Sequence, residues 1–366
     1  MQYLLGIDIG TTSTIGILIG LPDKVLGTAS RPVTLFAPHS GWTEESPEQW
    51  WANVGEICQQ LLTQSGIAAS EICGIGVTGM LPAVVLLDSE DRLLRPSIQQ
   101  SDGRSGAQVQ QMRCEMDSQH FLERAGNGIN QQLVGAKIRW IEHHEPEVFE
   151  RIATVFGSYD FINWKLTGEK IIEQNWALEA GFVDISSNTL DDELIAFAHL
   201  PRYAVPRLVR SHDIIGAVTA QAAAWTGLSE GTPVIGGAAD LIASALGAGD
   251  FAWRSAAQIR RLGGYSDRNA KRYPDPRLYL DYHLVPGCYM PNGCMSTGGS
   301  GLNWFVQNFA AQHEAAAREK GMSIHQYLDA MAENRPAGSD GLIFLPYFLG
   351  RKPRYMIQMP GASCLA

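Results

Sequence analysis

Cysteine is scarce and unpatterned in this 366-residue chain: Cys58, Cys73, Cys114, Cys288, Cys294 and Cys364 include no C-x-x-C pair. Their scatter signals neither a zinc site nor a disulfide scaffold, and suggests a reducing, cytoplasmic setting. Basic charge is also short: 28 Lys and Arg against 38 Asp and Glu leave a formal net charge of -10. A nucleic-acid binder is therefore not expected. Long apolar runs are missing too. The first twenty residues are apolar, but Asp8 and a Thr-Thr-Ser-Thr stretch interrupt them and no basic leader precedes them. They read as neither signal peptide nor membrane span, so no membrane partner is expected. Short-period repeats and low-complexity segments are absent. So are the Walker A and dinucleotide-binding glycine signatures.

What the chain does have is alternation. YLLGIDIGTTSTIGILIG at 3–20 reads as a β-hairpin with a Gly-Thr-Thr turn. Residues 47–64 follow Ser46, an N-cap candidate, and place Pro47 at the first helical position. Apolar residues recur there at helical spacing through Trp51, Val54, Ile57 and Leu61. Two short apolar runs flank Gly79-Met80-Leu81-Pro82, and helical patterns follow at 105–124, 134–152 and 159–166. Residues 232–248 read as a buried strand, a glycine turn and a helix opening near Asp240. Further on come a strand at 278–285, a helical stretch at 302–333 and a strand at 341–345. Such alternation predicts an α/β architecture.

Three clusters carry chemistry. Asp8 precedes the Gly10-Thr11-Thr12 turn. The turn is either an ordinary hairpin or a nest of N–H and hydroxyl groups for phosphate oxygens, with Asp8 placed to hold Mg²⁺ through water. Asp240 leaves a Gly236-Gly237 turn at a helix start, where it either caps the helix or accepts a proton from an attacking hydroxyl. The helix dipole there favours its ionised form. Asp102 and Arg104 share one loop ahead of a helix and either pair locally or grip a polyhydroxy ligand. Gly298-Gly299-Ser300-Gly301 is either a phosphate cradle or a turn. Trp42, Trp50, Trp51, Trp140, Trp164 and Trp176 are expected to serve packing, and His143-His144, adjacent on a helix, is not a metal site.

Seven ordered segments then share one pattern: D-I-G-T-T near residue 8; G-W-T-E-E-S-P-E-Q-W-W; G-V-T-G-M ahead of A-V-V-L-L-D; L-R-P-S-I-Q-Q-S-D-G-R at 94–104; G-A-K-I-R-W-I-E-H-H-E-P-E-V-F at 135–149; D-F-I-N-W-K-L-T-G-E at 160–169; and G-G-A-A-D at 236–240. Together they resemble the FGGY carbohydrate kinases, most closely the xylulokinase-like branch, over residues 1–249 and again over 273–350. The resemblance implies a two-domain actin/hexokinase/Hsp70-like (ribonuclease H-like) ATPase fold. Residues 1–249 would form the sugar-binding and catalytic domain, and 250–366 an incomplete nucleotide-binding domain. It implies transfer of the ATP γ-phosphoryl group to a ketose or polyol hydroxyl, with ATP and Mg²⁺ as cofactors, a sugar as partner, and room for a homodimer. By the same resemblance Asp240 matches the catalytic base and Asp8 the metal-linked, catalytic aspartate. Gly10, Thr11 and Thr12 match the phosphate hairpin, and Met80, Leu81, Asp102 and Arg104 the sugar side.

The chain departs from that pattern in places. Met80-Leu81-Pro82 replaces a Gln-Met-His, Gln100 stands where Trp is usual, and Leu241 stands where Asn often follows the base. These changes leave another ketose, a polyol or a modified sugar open as substrate. Residues 250–272 and 351–366 depart altogether. They hold nine basic and two acidic side chains, leaving -17 on the remainder. With permitted codons, both segments read in another frame give the family continuation (ISPGEVLLKFGGSADILI and KTPIHDPDARG). Frame changes near 249/250, 272/273 and 350/351 are therefore expected, with an impaired kinase as the consequence; the other reading of 250–272 is a divergent basic insertion. Two other readings remain: a non-catalytic sugar-binding remnant, and an actin- or Hsp70-like ATPase without a sugar substrate.

Overall fold

The structure, a computed structural model, describes residues 2–249, 274–293, 299–345 and 363–365. The two basic segments, and Gly298 of the glycine-rich turn, lie outside these residues. Chain packing separates two compact units, Met1–Asn292 and Gly293–Ala366.

The first unit is built on a mixed seven-stranded sheet. Strands β1 (Tyr3–Ile9), β2 (Ser13–Gly20) and β3 (Lys24–Pro32) form an antiparallel meander. In β1, Leu5, Ile7 and Ile9 are buried, the period-2 pattern of a strand with one covered face. Helix α1 (Pro47–Ser65) covers that meander. Ser46 Oγ accepts the Gln49 N–H at its start, and Gly66 ends it in the left-handed region at φ 69°. The chain then returns through β4 (Ile72–Gly79), parallel to β1. Helix α2 (Ser158–Thr167) packs under both strands, and the short strand β5 (Ile171–Glu173) leads into helix α3 (Gln174–Ala180).

Strand β6 (Ile214–Ala217), helix α4 (Ala220–Thr226) and strand β7 (Pro233–Ile235) extend the sheet beyond β4. A two-residue strand β8 (Ala238–Ala239) lies parallel to the last residues of β4, and helix α5 (Asp240–Gly247) follows at once. The hairpin of β9 (Tyr279–Tyr282) and β10 (Tyr289–Asn292) packs on α3, and thus joins the first unit rather than the second. Asn127 and Asn175 each exchange a pair of hydrogen bonds with the β9 backbone, at Leu280 and Tyr282.

Several helices are shorter than their periodicity predicts. The 105–124 stretch breaks into Gly106–Glu115 and Ser118–Ala125, because Asp117 caps the second piece by accepting the His120 N–H. Pro146 starts a separate turn after Val134–His144. In the second unit, Gly299–Phe305 is helical, and the 302–333 stretch loses α geometry between Val306 and His313. It turns at Gly321 (φ 64°) and restarts at Ile324 behind the Ser323 cap. Strand Ile343–Leu345 pairs antiparallel with Ser363–Leu365.

Two glycines decide the geometry between β7 and β8. A Cβ at Gly236 would lie 2.5 Å from the Arg210 carbonyl oxygen. At Gly237, with φ 83°, it would lie 2.1 Å from the Val77 carbonyl oxygen. Only glycine lets the chain cross so close to β4 and still enter β8. Gly237→Ala is expected to destabilise the protein by at least about 2 kcal/mol, through both the φ penalty and the clash. Urea unfolding of the variant beside the parent chain checks this.

Candidate active site

Register brings the two predicted acids to one edge of the sheet. Asp8 lies opposite Thr78 across the parallel β1–β4 pair, and Ala238 lies opposite Thr78 on the other side. Asp240, two residues beyond Ala238, therefore emerges beside Asp8 at the carboxyl ends of these strands, where open α/β sheets bind ligands. Thr78 Oγ1 donates to Asp8 Oδ1 at 2.7 Å, which orients the carboxylate and leaves Oδ2 toward the Gly10 turn.

That turn closes tightly. The Gly10 N–H donates to Ser13 O at 3.1 Å, and Val33 N–H donates to Thr12 O at 3.0 Å. Thr11 Oγ1 contacts Met80 Sδ at 3.4 Å, which ties the turn to the loop after β4, and Thr12 is exposed.

Asp240 is the first residue of α5 rather than its cap; Ala239 holds the cap position. Its Oδ1 accepts the Leu241 N–H at 2.7 Å. The helix dipole alone would favour its ionised form, but two stronger effects oppose that. Burial and then the Asp8 charge push Asp240 up to about 6, against the Leu241 hydrogen bond. Asp8 is raised as well, by burial, with the Thr78 hydrogen bond working against it. Asp240 is thus a carboxylate near neutral pH that still holds a proton strongly, the property a general base needs.

The sugar-side residues fall into two groups. Met80 and Leu81 are 1% and 8% exposed and belong to the core. The Met80 N–H donates to Ile9 O and its carbonyl accepts from Ser158 Oγ, so the loop hangs on β1 and α2. Asp102 and Arg104 pair with each other. Arg104 Nε and Nη2 meet Asp102 Oδ1 and Oδ2, both at 2.8 Å, and the Arg104 and Thr43 N–H groups complete the carboxylate. Arg104 Nη1 reaches Glu44 at 2.7 Å, and its guanidinium lies 4.0 Å from the Trp42 ring centroid and 4.9 Å from that of Trp140. Both side chains are fully buried. The pair fixes the loop ahead of the Gly106–Glu115 helix, and both Asp102 carboxylate oxygens are engaged within the protein.

Sequence reasoning missed three buried charges here. Lys137, fully buried, donates to Pro82 O at 3.1 Å and to Gln99 O at 2.8 Å, and so fastens the loop after β4 to the Asp102 loop. It lay inside the quoted G-A-K-I-R-W segment, where helical spacing gave it no distinction. Glu173, at the end of β5, accepts from Tyr159, Ser211 and the Asn175 N–H. Burial pushes it up to about 7 against these bonds. Asp281 in β9 accepts from Asn292 Nδ2 at 2.7 Å, and its Oδ1 is buried without a partner. Burial raises Asp281 to about 7, with the Glu173 and Asp240 charges adding to the rise. An acid inside a short apolar strand was the available signal for both.

Relatives carry comparable sequence and fold. Residues 3–247 match the FGGY family of carbohydrate kinases, N-terminal domain. The crystal structure of xylulose kinase from Rhodospirillum rubrum is 52% identical, with a TM-score of 0.82, over all of this chain and 72% of its own. Xylulose kinase of Bacillus subtilis (strain 168) is 28% identical over 96% of this chain and 69% of its own length. Gluconokinase of Bacillus licheniformis is 26% identical over 99% and 71%. No described helix is long and apolar enough to cross a membrane.

The raised carboxyls give a stability prediction. Folded Asp281 keeps its proton above the pH at which the unfolded chain releases it, so folding loses free energy as pH rises from about 4 to about 7. Asp281→Asn removes that penalty. The variant is expected to match the parent near pH 4.5 and exceed it by roughly 1–3 kcal/mol at pH 8. Urea midpoints at the two pH values check it; an equal difference at both contradicts it.

Proposed function

Because the chain belongs to the FGGY family of carbohydrate kinases, in its xylulose kinase-like branch, we propose that Asp8, Gly10, Thr11, Thr12 and Asp240 transfer the ATP γ-phosphoryl group to a sugar hydroxyl. The observation that carries this reading is the shared sheet edge of Asp8 and Asp240, with Asp240 raised to about 6. A ketose or polyol hydroxyl beside Asp240 gives its proton to the carboxylate as its oxygen bonds to phosphorus and the bond to the departing ADP oxygen breaks. The 10–12 turn receives phosphate oxygens on its hydroxyls and N–H groups. The buried Asp102–Arg104 pair and Lys137 act by holding the sugar-side loops in register.

Asp8 fits a Mg²⁺ site by its chemistry: a hard carboxylate with one oxygen oriented by Thr78 and the other facing the phosphate turn. Among the described residues, no three His, Cys, Asp or Glu side chains cluster to hold a metal, as suits an ion bound by one carboxylate, phosphate oxygens and water. Bound Mg²⁺ would neutralise the phosphate charge during transfer.

We assign residues 1–249, together with the β9–β10 hairpin packed on them, to the sugar-binding and catalytic domain, and the rest of 250–366 to the nucleotide side. Pro82 offers no side-chain donor where a His is usual, so the substrate is drawn from ketoses or polyols more widely than xylulose. The departure of 250–272 from the family pattern supports slow turnover by this chain. A coupled ATP assay over a panel of ketoses and polyols tests the reading. Sugar-dependent turnover is expected well below about 1 s⁻¹. It should fall further below pH 6 as Asp240 gains its proton, and vanish in Asp240→Asn. Sugar binding by calorimetry with no turnover at all would replace the kinase with a sugar-binding remnant. Rates in the ordinary enzyme range would remove the impairment.

A further inference from the structure

A cavity of about 490 Å³ opens among α1, α2 and α4, and shares no residue with the Asp8–Asp240 edge. Its walls include three indoles, Trp51, Trp164 and Trp225, with Lys165 and Gln221 beside them. Trp51 and Trp225 lie nearly parallel, 17° apart, with centroids 6.3 Å apart. Lys165 Nζ sits 5.6 Å from the Trp51 ring centroid and 5.2 Å from that of Trp164.

The cavity is built, rather than left over. Trp225 Nε1 donates to Trp51 O at 3.2 Å, and Gln59 Nε2 donates to Trp225 O at 2.8 Å, so the indole is fixed at ring and backbone. It can lie on α1 only because residue 55 is glycine: a Cβ there would stand 2.6 Å from Trp225 Nε1. Glycine inside a helix is less favourable than alanine. The helix carries that cost, yet the indole it seats remains 47% exposed. An aromatic held so firmly and left open is the anatomy of a ligand wall rather than of a core.

Lys165 adds charge to that wall. Among the described residues it forms no ion pair, and its ammonium faces ring surfaces instead. Burial pulls its pKa down and the Glu48 charge, the other influence on it, pushes it up. An anion reaching this ammonium would gain a charge-assisted hydrogen bond in surroundings poorer in water than the open surface.

We propose that this cavity is a second binding site, for a sugar phosphate. Its phosphate meets Lys165, its C–H face lies on the indoles, and its hydroxyls reach Gln221. Indole faces alone would accept any apolar or planar ligand. The lysine calls for negative charge, and the polar Gln221 and Thr219 for hydroxyls. A sugar phosphate satisfies all three, and the choice of ligand rests on the proposed sugar-kinase reading, since such an enzyme makes one.

Calorimetry on the full chain tests this directly, with D-xylulose 5-phosphate as probe and D-xylulose, inorganic phosphate and 4-hydroxybenzoate as comparators. The sugar phosphate is expected to bind at least tenfold more tightly than each comparator. Lys165→Met, close to lysine in length and shape, should weaken it at least tenfold, Trp225→Ala should weaken it comparably, and Asp240→Asn should leave a Lys165-dependent site intact. Circular dichroism and the urea midpoint show whether each variant is folded; Lys165→Met keeps the test valid if Trp225→Ala is not. Binding unchanged in folded Lys165→Met overturns the site. Tighter binding of 4-hydroxybenzoate, or equal binding of inorganic phosphate, overturns the ligand class. Because the readout is binding, absent turnover would count against the kinase reading and leave this one standing.

Discussion

Two carboxyl groups at the same sheet edge constrain the rest of the first unit. Placing Asp240 beside Asp8 requires β4 to run parallel to β1, β8 to pair with the end of β4, and two glycines to let the chain pass Val77 and Arg210. Like charges in a half-buried edge repel, and that repulsion adds to burial in raising Asp240 to about 6. Thr78 steadies Asp8, and the backbone of Leu241 steadies Asp240. Neither bond cancels the cost of burial. The site is therefore arranged to gain when positive charge, or a proton-bearing hydroxyl, arrives.

Behind that edge lies a second acidic layer. Glu173, Asp160 and Asp281 are all buried, and all are raised, first by desolvation. Glu173 binds α3 through the Asn175 and Trp176 N–H groups, and Asn175 in turn pins β9. The chain that positions the β9–β10 hairpin thus runs through protonatable groups, and the hairpin's stability is tied to pH. On the sugar side the logic is opposite: Asp102, Arg104, Glu44 and Arg95 neutralise one another around Trp42 and Trp140.

Asp8 and Asp240 were legible in the sequence because one lies near the end of an apolar strand, the other just after a strand, and each adjoins a glycine turn. Those are local signals, and the register of a parallel sheet converts them into proximity. The hairpin, α1 with its Ser46–Pro47 start, and α2 with its Gly168 stop were legible for the same reason. Lys137, Glu173 and Asp281 were not read, since beyond the weak signal of an acid in an apolar strand what distinguishes them is burial, and burial depends on partners 11 to 55 residues away. The reading of Asp102 and Arg104 left a local ion pair open beside a sugar grip, and the geometry supplies the pair. The long helical periodicities at 105–124 and 302–333 misled in extent: apolar spacing continues across Asp117 and Ser323, whose capping stops one helix and starts another.

The central claim is that burial, with the Asp8 charge adding to it, raises Asp240 to about 6. Carbon-13 carboxyl NMR of aspartate-labelled protein measures it most directly. The account predicts one carboxyl titrating near pH 6, missing in Asp240→Asn and moved to lower pH in Asp8→Asn. A midpoint unmoved by Asp8→Asn would contradict it.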